Sequence, residues 1–516
     1  MAELNVLPLS VRKAWIGPAI AALVLAPQAR AEWRFTPALT GRLSYSDNVN
    51  LRPDGQGTGQ FVTEIAPSIV ISDQTPRFRF NAAYQVHIYE YARDRVSGTD
   101  RTTQQLQAGA FGELLSDLLF VDASASVSQA PVTPLAAGFG NGFARDNRNE
   151  VRSYRVSPWI HRTFGAFASA NLRYAHDMVG SDNAGFGRST ADTLNLAVNS
   201  GAAFQRAGWS VSLSKQHLED SVAPPSSSQG AGVSLRYVVT PELTWTLGGG
   251  YDKFDYEGLG SDTQGASWST GLIWNPSPRT SLTLSGGRRY YGNSYFLSGS
   301  HRSRYTVWNI SYSDDVTTTR SQFLLPSAVD TAAMLDRLFI PAYPDPVLRA
   351  IAVEAYIRAS GLPRSLPDSV NYFTNRYMLQ RQGQASVGLR LPRTTVLVSA
   401  FSTRREALSL FQADSALLGS SGARINDNVR QRGLTVVADY ALTARSNLSL
   451  AASVNTTRSG ALEREAQHKS ARVFFSHRIA PHLNGTVELR TLRTRSAFDA
   501  RTVKEHAVAA SLSATF

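Results

Sequence analysis

The 516 residues include no cysteine, which excludes a disulfide framework, a thiolate metal site and a cysteine nucleophile together. Lysine and arginine number 52 against 40 aspartates and glutamates, a net charge of +12 that suits nucleic acid, anionic lipid or an anionic polymer as partner. With 42% hydrophobic residues, the chain is too polar for a bundle of transmembrane helices.

At the start of the chain, Arg12 and Lys13 precede an apolar run from Ala14 to Pro27, and Ala29-Arg30-Ala31 places small residues at both cleavage-site positions. This is the pattern of a secretory signal peptide over residues 1–31. The run is shorter than the ~20 residues a helical span needs, which argues against a membrane anchor. Export makes nucleic acid an improbable partner, and the mature chain from residue 32 keeps its basic balance.

From Trp33 onward the pattern has period two. Trp33, Phe35, Leu39, Leu43 and Tyr45 alternate with Arg34, Thr36, Thr40, Arg42 and Ser44. The alternation recurs through Phe78 to Ile88, Leu119 to Val127, Val233 to Val239, Leu243 to Tyr251, Leu434 to Leu442 and Leu448 to Val454. Such segments are strands with two unlike faces. After residue 31 no apolar run is long enough for a helical span, so a membrane-crossing structure must pair its backbone between strands.

Short and long connections alternate between the strands. The short ones include 73–76, Thr240-Pro241-Glu242, Asn275-Pro276-Ser277-Pro278, Leu391-Pro392-Arg393 and Ala480-Pro481-His482. Proline there presets φ and ends the preceding strand. The long, polar ones cover 47–60, 130–150, 217–229, 404–427 and 314–372. The expected fold is all-β: an antiparallel transmembrane barrel over 32–516 with about 22 strands, within a range of 16 to 22, and a tight outer hairpin near Gly292. Aromatic residues are expected in two interfacial girdles, with Trp33, Phe78, Trp159, Trp209, Trp245, Trp274 and Tyr440 on the turn side. Tyr45, Tyr91, Tyr174, Tyr251 and Tyr312 fall on the loop side.

In the 314–372 insertion, Asp345-Pro346 reads as a helix start and Gly361 as its end, with Leu348, Ile351, Ala352, Ala355, Tyr356 and Ala359 on one face. A shorter helix is expected over 331–338. The insertion either caps the mouth or folds inward as a constriction.

With the apolar faces in lipid, the polar faces line a lumen rich in arginine. Arg34, Arg42, Arg77, Arg79, Arg155, Arg173, Arg236, Arg390, Arg472 and Arg490 stand there against Glu64, Glu113, Asp122, Asp439 and Glu488. A guanidinium excess favours anionic solutes bearing carboxylate, sulfate or phosphate, while an arginine and acid ladder that merely stiffens a polar interior reads equally well. The nine histidines are scattered, among them His87, His161, His176, His301, His477 and His506, with no metal-ligand spacing. No triad or phosphate-cradling loop is legible, so no catalytic residue, metal or cofactor is expected.

The last strand presents Val508, Ala510, Leu512, Ala514 and Phe516 on one face and stops there. It resembles the assembly signal of bacterial outer-membrane barrels, which implies outer-membrane lipid and the barrel-insertion machinery as partners and the cell outer membrane as location.

The stretch Gly286-Gly287-Arg288-Arg289-Tyr290-Tyr291-Gly292-Asn293-Ser294-Tyr295, then Ser300-His301-Arg302-Ser303-Arg304 and Ser311-Tyr312-Ser313-Asp314-Asp315-Val316, resembles an uncharacterised outer-membrane β-barrel family associated with PEP-CTERM/exosortase and exopolysaccharide systems. Only residues 286–320 carry the specific pattern. The resemblance implies a non-enzymatic barrel in export or surface assembly of an anionic polymer, with exopolysaccharide export components as partners, and carries over no functional residues. A general diffusion porin and a structural or adhesive surface barrel are the alternatives. A plugged importer of the TonB-dependent kind is disfavoured, because alternation begins immediately after the expected cleavage site.

Overall fold

A computed structural model describes residues 33–93, 98–132, 135, 144, 148–181, 187–221, 224–256, 263–324, 335, 377–409, 428–460, 463–495 and 501–516. The expected signal peptide and the expected helices at 345–361 and 331–338 lie outside these residues, except for Leu335.

Twenty-two antiparallel strands form one closed sheet. In chain order they are β1 (Arg34–Ser46), β2 (Gln60–Gln74), β3 (Phe78–Tyr91), β4 (Thr102–Leu115), β5 (Leu119–Pro131), β6 (Arg148–Phe164), β7 (Ala168–Ser181) and β8 (Arg188–Ser200). Next come β9 (Ala207–Asp220), β10 (Ser226–Thr240), β11 (Leu243–Asp255), β12 (Gln264–Ser277), β13 (Thr280–Arg289), β14 (Gly292–Arg302) and β15 (Thr306–Thr317). The circle is completed by β16 (Met378–Arg390), β17 (Thr394–Ala407), β18 (Asn428–Ala441), β19 (Ser446–Ser459), β20 (Arg464–Ala480), β21 (Leu483–Arg495) and β22 (Thr502–Thr515). Each strand pairs with its neighbour in sequence, and β22 pairs with β1 from Ala38↔Thr515 to Ser46↔Ala507.

The strand number agrees with the sequence expectation. At one end every connection has two to six residues, and at the other the connections run from the two-residue Tyr290-Tyr291 hairpin to the 318–377 insertion. Short turns at one rim and long loops at the other are the pattern of an outer-membrane barrel, with the turns periplasmic. Gly292 opens β14 at φ +118°, a conformation costly for any residue with a Cβ, so it permits the outer hairpin to be this tight. Register shifts at Glu113/Leu115, Val238/Thr240, Trp274/Ser277 and Arg478/Ala480 all fall just before short turns, where a bulge twists the strand into its reversal.

The strands outrun the expected loops in several places. Between β9 and β10 only 221–225 are left as connection rather than 217–229. Strand β17 continues to Ala407, beyond the expected loop start at 404, and β15 continues to Thr317. The pairing partners Ser227↔His217, Glu406↔Asn428 and Val316↔Leu379 explain why: a polar segment stays extended when a neighbouring backbone satisfies it. Helix α1 (Thr319–Leu324) follows β15 and was not expected from the sequence.

Opposite residues of an antiparallel pair share a face, so the register carries one parity round the whole barrel. Outward positions include Leu43, Ile65, Leu235, Trp245, Leu272, Leu434, Leu450, Leu489 and Leu512, all exposed. An apolar exterior on a sheet with no free edge is the arrangement a bilayer demands, and the protein is therefore a membrane-spanning barrel. Trp33, Phe78 and Phe80 cluster at the turn rim, with ring centroids 5.4 to 6.1 Å from the Trp33 ring. Two girdle assignments change. Trp159 is opposite Phe120 and Arg173, and Tyr91 opposite Val62, so both point inward; each is an aromatic on the polar parity of its strand.

Leu450 is outward and 41% exposed. Leu450→Arg should lower folding stability in lipid by about 2–4 kcal/mol, the cost of a cation facing hydrocarbon, measured by denaturant titration in vesicles; an unchanged midpoint would place the β19 outer face away from the bilayer.

Candidate functional site: the lumen

The register places Arg34, Arg42, Arg79, Arg155, Arg173, Arg236, Arg390, Arg472 and Arg490 on the inner parity, along with Glu64, Glu113, Asp122, Asp439 and Glu488. Arg77 lies in the turn between β2 and β3, 3.9 Å from Glu113. The lumen arginines do not form one population.

The first group closes the barrel. On β1, Arg42 donates to Glu488 of β21 at 2.5 Å, reaching across β22. The reach is open because the inner face of β22 is Ala507, Ala509, Ser511 and Ser513, with Arg42 opposite Ser511 and Glu488 opposite Ala509. Arg490 donates to Glu505 of β22 at 2.8 Å and lies 3.8 Å from Glu488, and Ser46 of β1 donates to Glu505 at 2.7 Å. Glu64, opposite Arg42, holds His87 at 2.6 Å, and Arg472 is opposite Arg490. Three arginines thus share one network with three carboxylates. Glu505, fully buried, and Arg405, 1% exposed, were missed in the sequence; both lie on inner parity close to loops, where alternation of side-chain type fades.

A second group is stacked. Arg79 lies 4.5 Å from the Phe111 ring centroid and Arg173 lies 5.1 Å from that of Trp159, with Phe120 stacked on Trp159 at 4.2 Å. Asp122 accepts from both Arg173 and Trp159 at 2.8 Å. These guanidiniums already have a π-face or a carboxylate.

The third group lies near the turn rim. Arg34 opens β1 opposite Ser72, and Arg236 lies near the end of β10 opposite Gly208 and Thr246. Arg302, which the sequence reading did not single out although its parity is inward, ends β14 opposite Val307. None of the three faces a carboxylate in register. Gly208 makes room for one of them: a Cβ there would stand 2.2 Å from Arg236 Nε, so a larger residue would move the Arg236 side chain.

Between β9 and β15 the inner wall is of a different kind. Ser210, Ser212, Ser234, Gly250, Ser267 and Ser285 are among the residues lining a recess of about 560 Å³, which Asp252, Arg289, Asp315 and Phe296 also border. A second recess, of about 720 Å³, continues it toward the turn rim past Ser298, Asn309, Ser311 and Arg302. Short side chains leave recesses along this part of the wall, whereas the wall around β22 carries the ion network.

At the loop rim, Tyr256 stacks on Tyr377 at 4.6 Å, Phe254 approaches Tyr290 at 5.3 Å, and Tyr377 shares a 2.5 Å hydrogen bond with Ser226. Burial holds the Tyr377 phenol above its usual range and keeps it neutral. Helix α1 is tied to the wall by an ion pair between Arg320 and Asp177 of β7, both buried. Among the described residues no three His, Asp or Glu side chains converge to hold a metal.

No protein-family model and no curated relative matches the chain. Among solved structures, the FrpB iron transporter from Neisseria meningitidis (F5-1 variant) is 10% identical with a TM-score of 0.49, over 93% of this chain and 82% of that one. The siderophore receptor PirA from Pseudomonas aeruginosa is 9% identical with a TM-score of 0.44, over 94% of this chain and 80% of that one. The PirA receptor from Acinetobacter baumannii is 8% identical with a TM-score of 0.47, over 93% and 80%. At these values nothing about cargo follows.

Glu488→Ala should destabilise the barrel by about 3 kcal/mol, because it takes from Arg42 the carboxylate it donates to, while Arg490 keeps Glu505. Arg42→Ala combined with Glu488→Ala should cost less than the two single changes added together, which a double-mutant cycle on denaturant midpoints measures; strict additivity would dismiss the network.

Proposed function

We propose that the protein is a non-enzymatic outer-membrane conduit for an anionic surface polymer, working with a PEP-CTERM/exosortase and exopolysaccharide system in export or surface assembly. The observation that carries the reading is the uneven use of lumen arginine. The network at the β1–β22 closure is neutralised by its own carboxylates. Arg34, Arg236 and Arg302 lie near the turn rim without an acid opposite them in register, Arg236 and Arg302 in the open half. A polymer entering from the periplasm meets those guanidiniums first, and their planar forks suit carboxylate, sulfate or phosphate substituents. The serine and glycine wall beyond them offers hydroxyls and backbone without bulk, which suits passage of an extended chain. The resemblance of residues 286–320 to the exosortase-associated family supports the biological setting.

A general diffusion porin is the second reading, favoured by the two open recesses along β9–β15. Reconstitution in planar bilayers separates them. The conduit should show low unliganded conductance with anion preference, and Arg34→Gln with Arg236→Gln and Arg302→Gln should move the reversal potential toward zero. Large, weakly selective openings would establish the porin instead, and a gene cluster without exosortase or polysaccharide genes would remove the proposed setting.

A further inference from the structure

The outer surface carries a feature that neither the lumen nor the cargo explains. Along the loop-side ends of β17, β18 and β19, Arg404, Arg430 and Arg458 stand directly opposite one another on the outward parity. On β20, β21 and β22, Lys469, Arg493 and Lys504 repeat the arrangement. Like charges in register on adjacent strands repel, so two such rows side by side oppose folding unless something anionic covers them. All six are exposed. Arg404 is held by Glu406 at 2.5 Å and Lys504 by Asp54 at 2.5 Å, and the same ammonium keeps the Asp54 carboxyl below its usual range. Arg430, Arg458, Lys469 and Arg493 make no ion pair among the described residues, although Glu465 of β20 stands opposite Arg458 and ends the first row.

The far flank shows that this is not a general property of the rim. There the corresponding row runs Lys215, Gln229, Lys253, Gln264, with an amide after each cation. The height of the basic rows is equally specific. Arg430 lies ten residues from Tyr440 along β18, about 33 Å of strand. At the usual ~40° tilt this is about 25 Å along the membrane normal, one full apolar band above the turn-side interface. The rows therefore sit at headgroup level in the outer leaflet, with Leu434 below Arg430 and Leu489 below Arg493 facing the acyl chains.

We infer that the outward rows on β17–β22 bind the phosphate groups of an acylated, phosphorylated glycolipid of the outer leaflet. Guanidinium forks take phosphate oxygens in pairs, and the apolar strand faces below take the acyl chains, so a single amphiphile satisfies both levels of this flank. A soluble anionic polymer satisfies only the upper one. The inference is independent of the proposed cargo, which concerns the lumen.

The test uses the full-length folded barrel in non-ionic detergent, with bisphosphorylated lipid A as probe and native mass spectrometry as readout. Retained lipid A is expected, with affinity at least about tenfold lower for the enzymatically dephosphorylated lipid and for Arg430→Gln combined with Arg458→Gln and Arg493→Gln. Heat-modifiable gel mobility checks that the variant is folded. The control Lys215→Gln with Lys253→Gln should bind as the parent does. Equal binding of the phosphorylated and dephosphorylated lipids, or an unaltered affinity in the folded triple variant, would overturn the inference. Displacement of lipid A by an acyl-free polyanion at equal concentration would do the same and assign the rows to polymer.

Discussion

Everything in this barrel depends on the rule that a backbone amide in hydrocarbon has no water to pair with. A sheet obeys it only by having no edge, and here the obligation falls on the pairing of β1 with β22, strands separated by nearly the whole chain. Long-range closure carries the largest loop entropy of any contact in the molecule, so side chains that favour this one pairing have particular value. The ion network lies there. Arg42 on β1 engages Glu488 on β21 over the top of β22, while Ser46 on β1 shares Glu505 with Arg490. The two ends of the chain are thus cross-tied through three consecutive strands, and the small inner residues of β22 are what make the crossing geometrically open.

That arrangement divides the lumen. One part of the wall carries paired charges and the Arg79-Phe111 and Trp159-Arg173 stacks. The half from β9 to β15 has short side chains and stays open. Charge that serves closure is not available to a solute, and the arginine excess read from composition therefore overstates the lumen's attraction for anions. Arg34, Arg236 and Arg302, which face no carboxylate in register, all lie near the periplasmic rim.

Parity was the most legible property of the sequence. Val508 to Phe516, Trp33 to Tyr45 and Leu434 to Leu442 state inside and outside residue by residue, because lipid and lumen impose opposite chemistry on alternate positions. The strand count followed from Pro-bearing turns such as Thr240-Pro241-Glu242. Trp159 and Tyr91 were misread because an aromatic ring is tolerated on either face: outward it meets lipid, inward it stacks on Phe120 or packs beside Val62 and Tyr89. Strand ends were underestimated at Ala407 and Thr317, since polar residues beyond the lipid band no longer alternate even though their backbones remain paired. The partition of the arginines was not legible at all. Whether Arg42 meets Glu488 depends on strands that are brought together only by closure.

The same reasoning gives the outer surface its meaning. Inside, like charges in proximity are accompanied by carboxylates, as Arg472 and Arg490 are by Glu488 and Glu505. Outside, at the level of β17–β19, three arginines stand in register, with Glu406 paired to Arg404 and Glu465 opposite Arg458 at the end of the row. A protein that neutralises its buried cations with its own acids, and leaves an exposed file of cations at the height of lipid headgroups, has assigned that neutralisation to its solvent. For a barrel the solvent is the membrane. The closure side of the barrel, β17 through β22, would then be held from both faces: by its own ion network within, and by phosphate from the leaflet without.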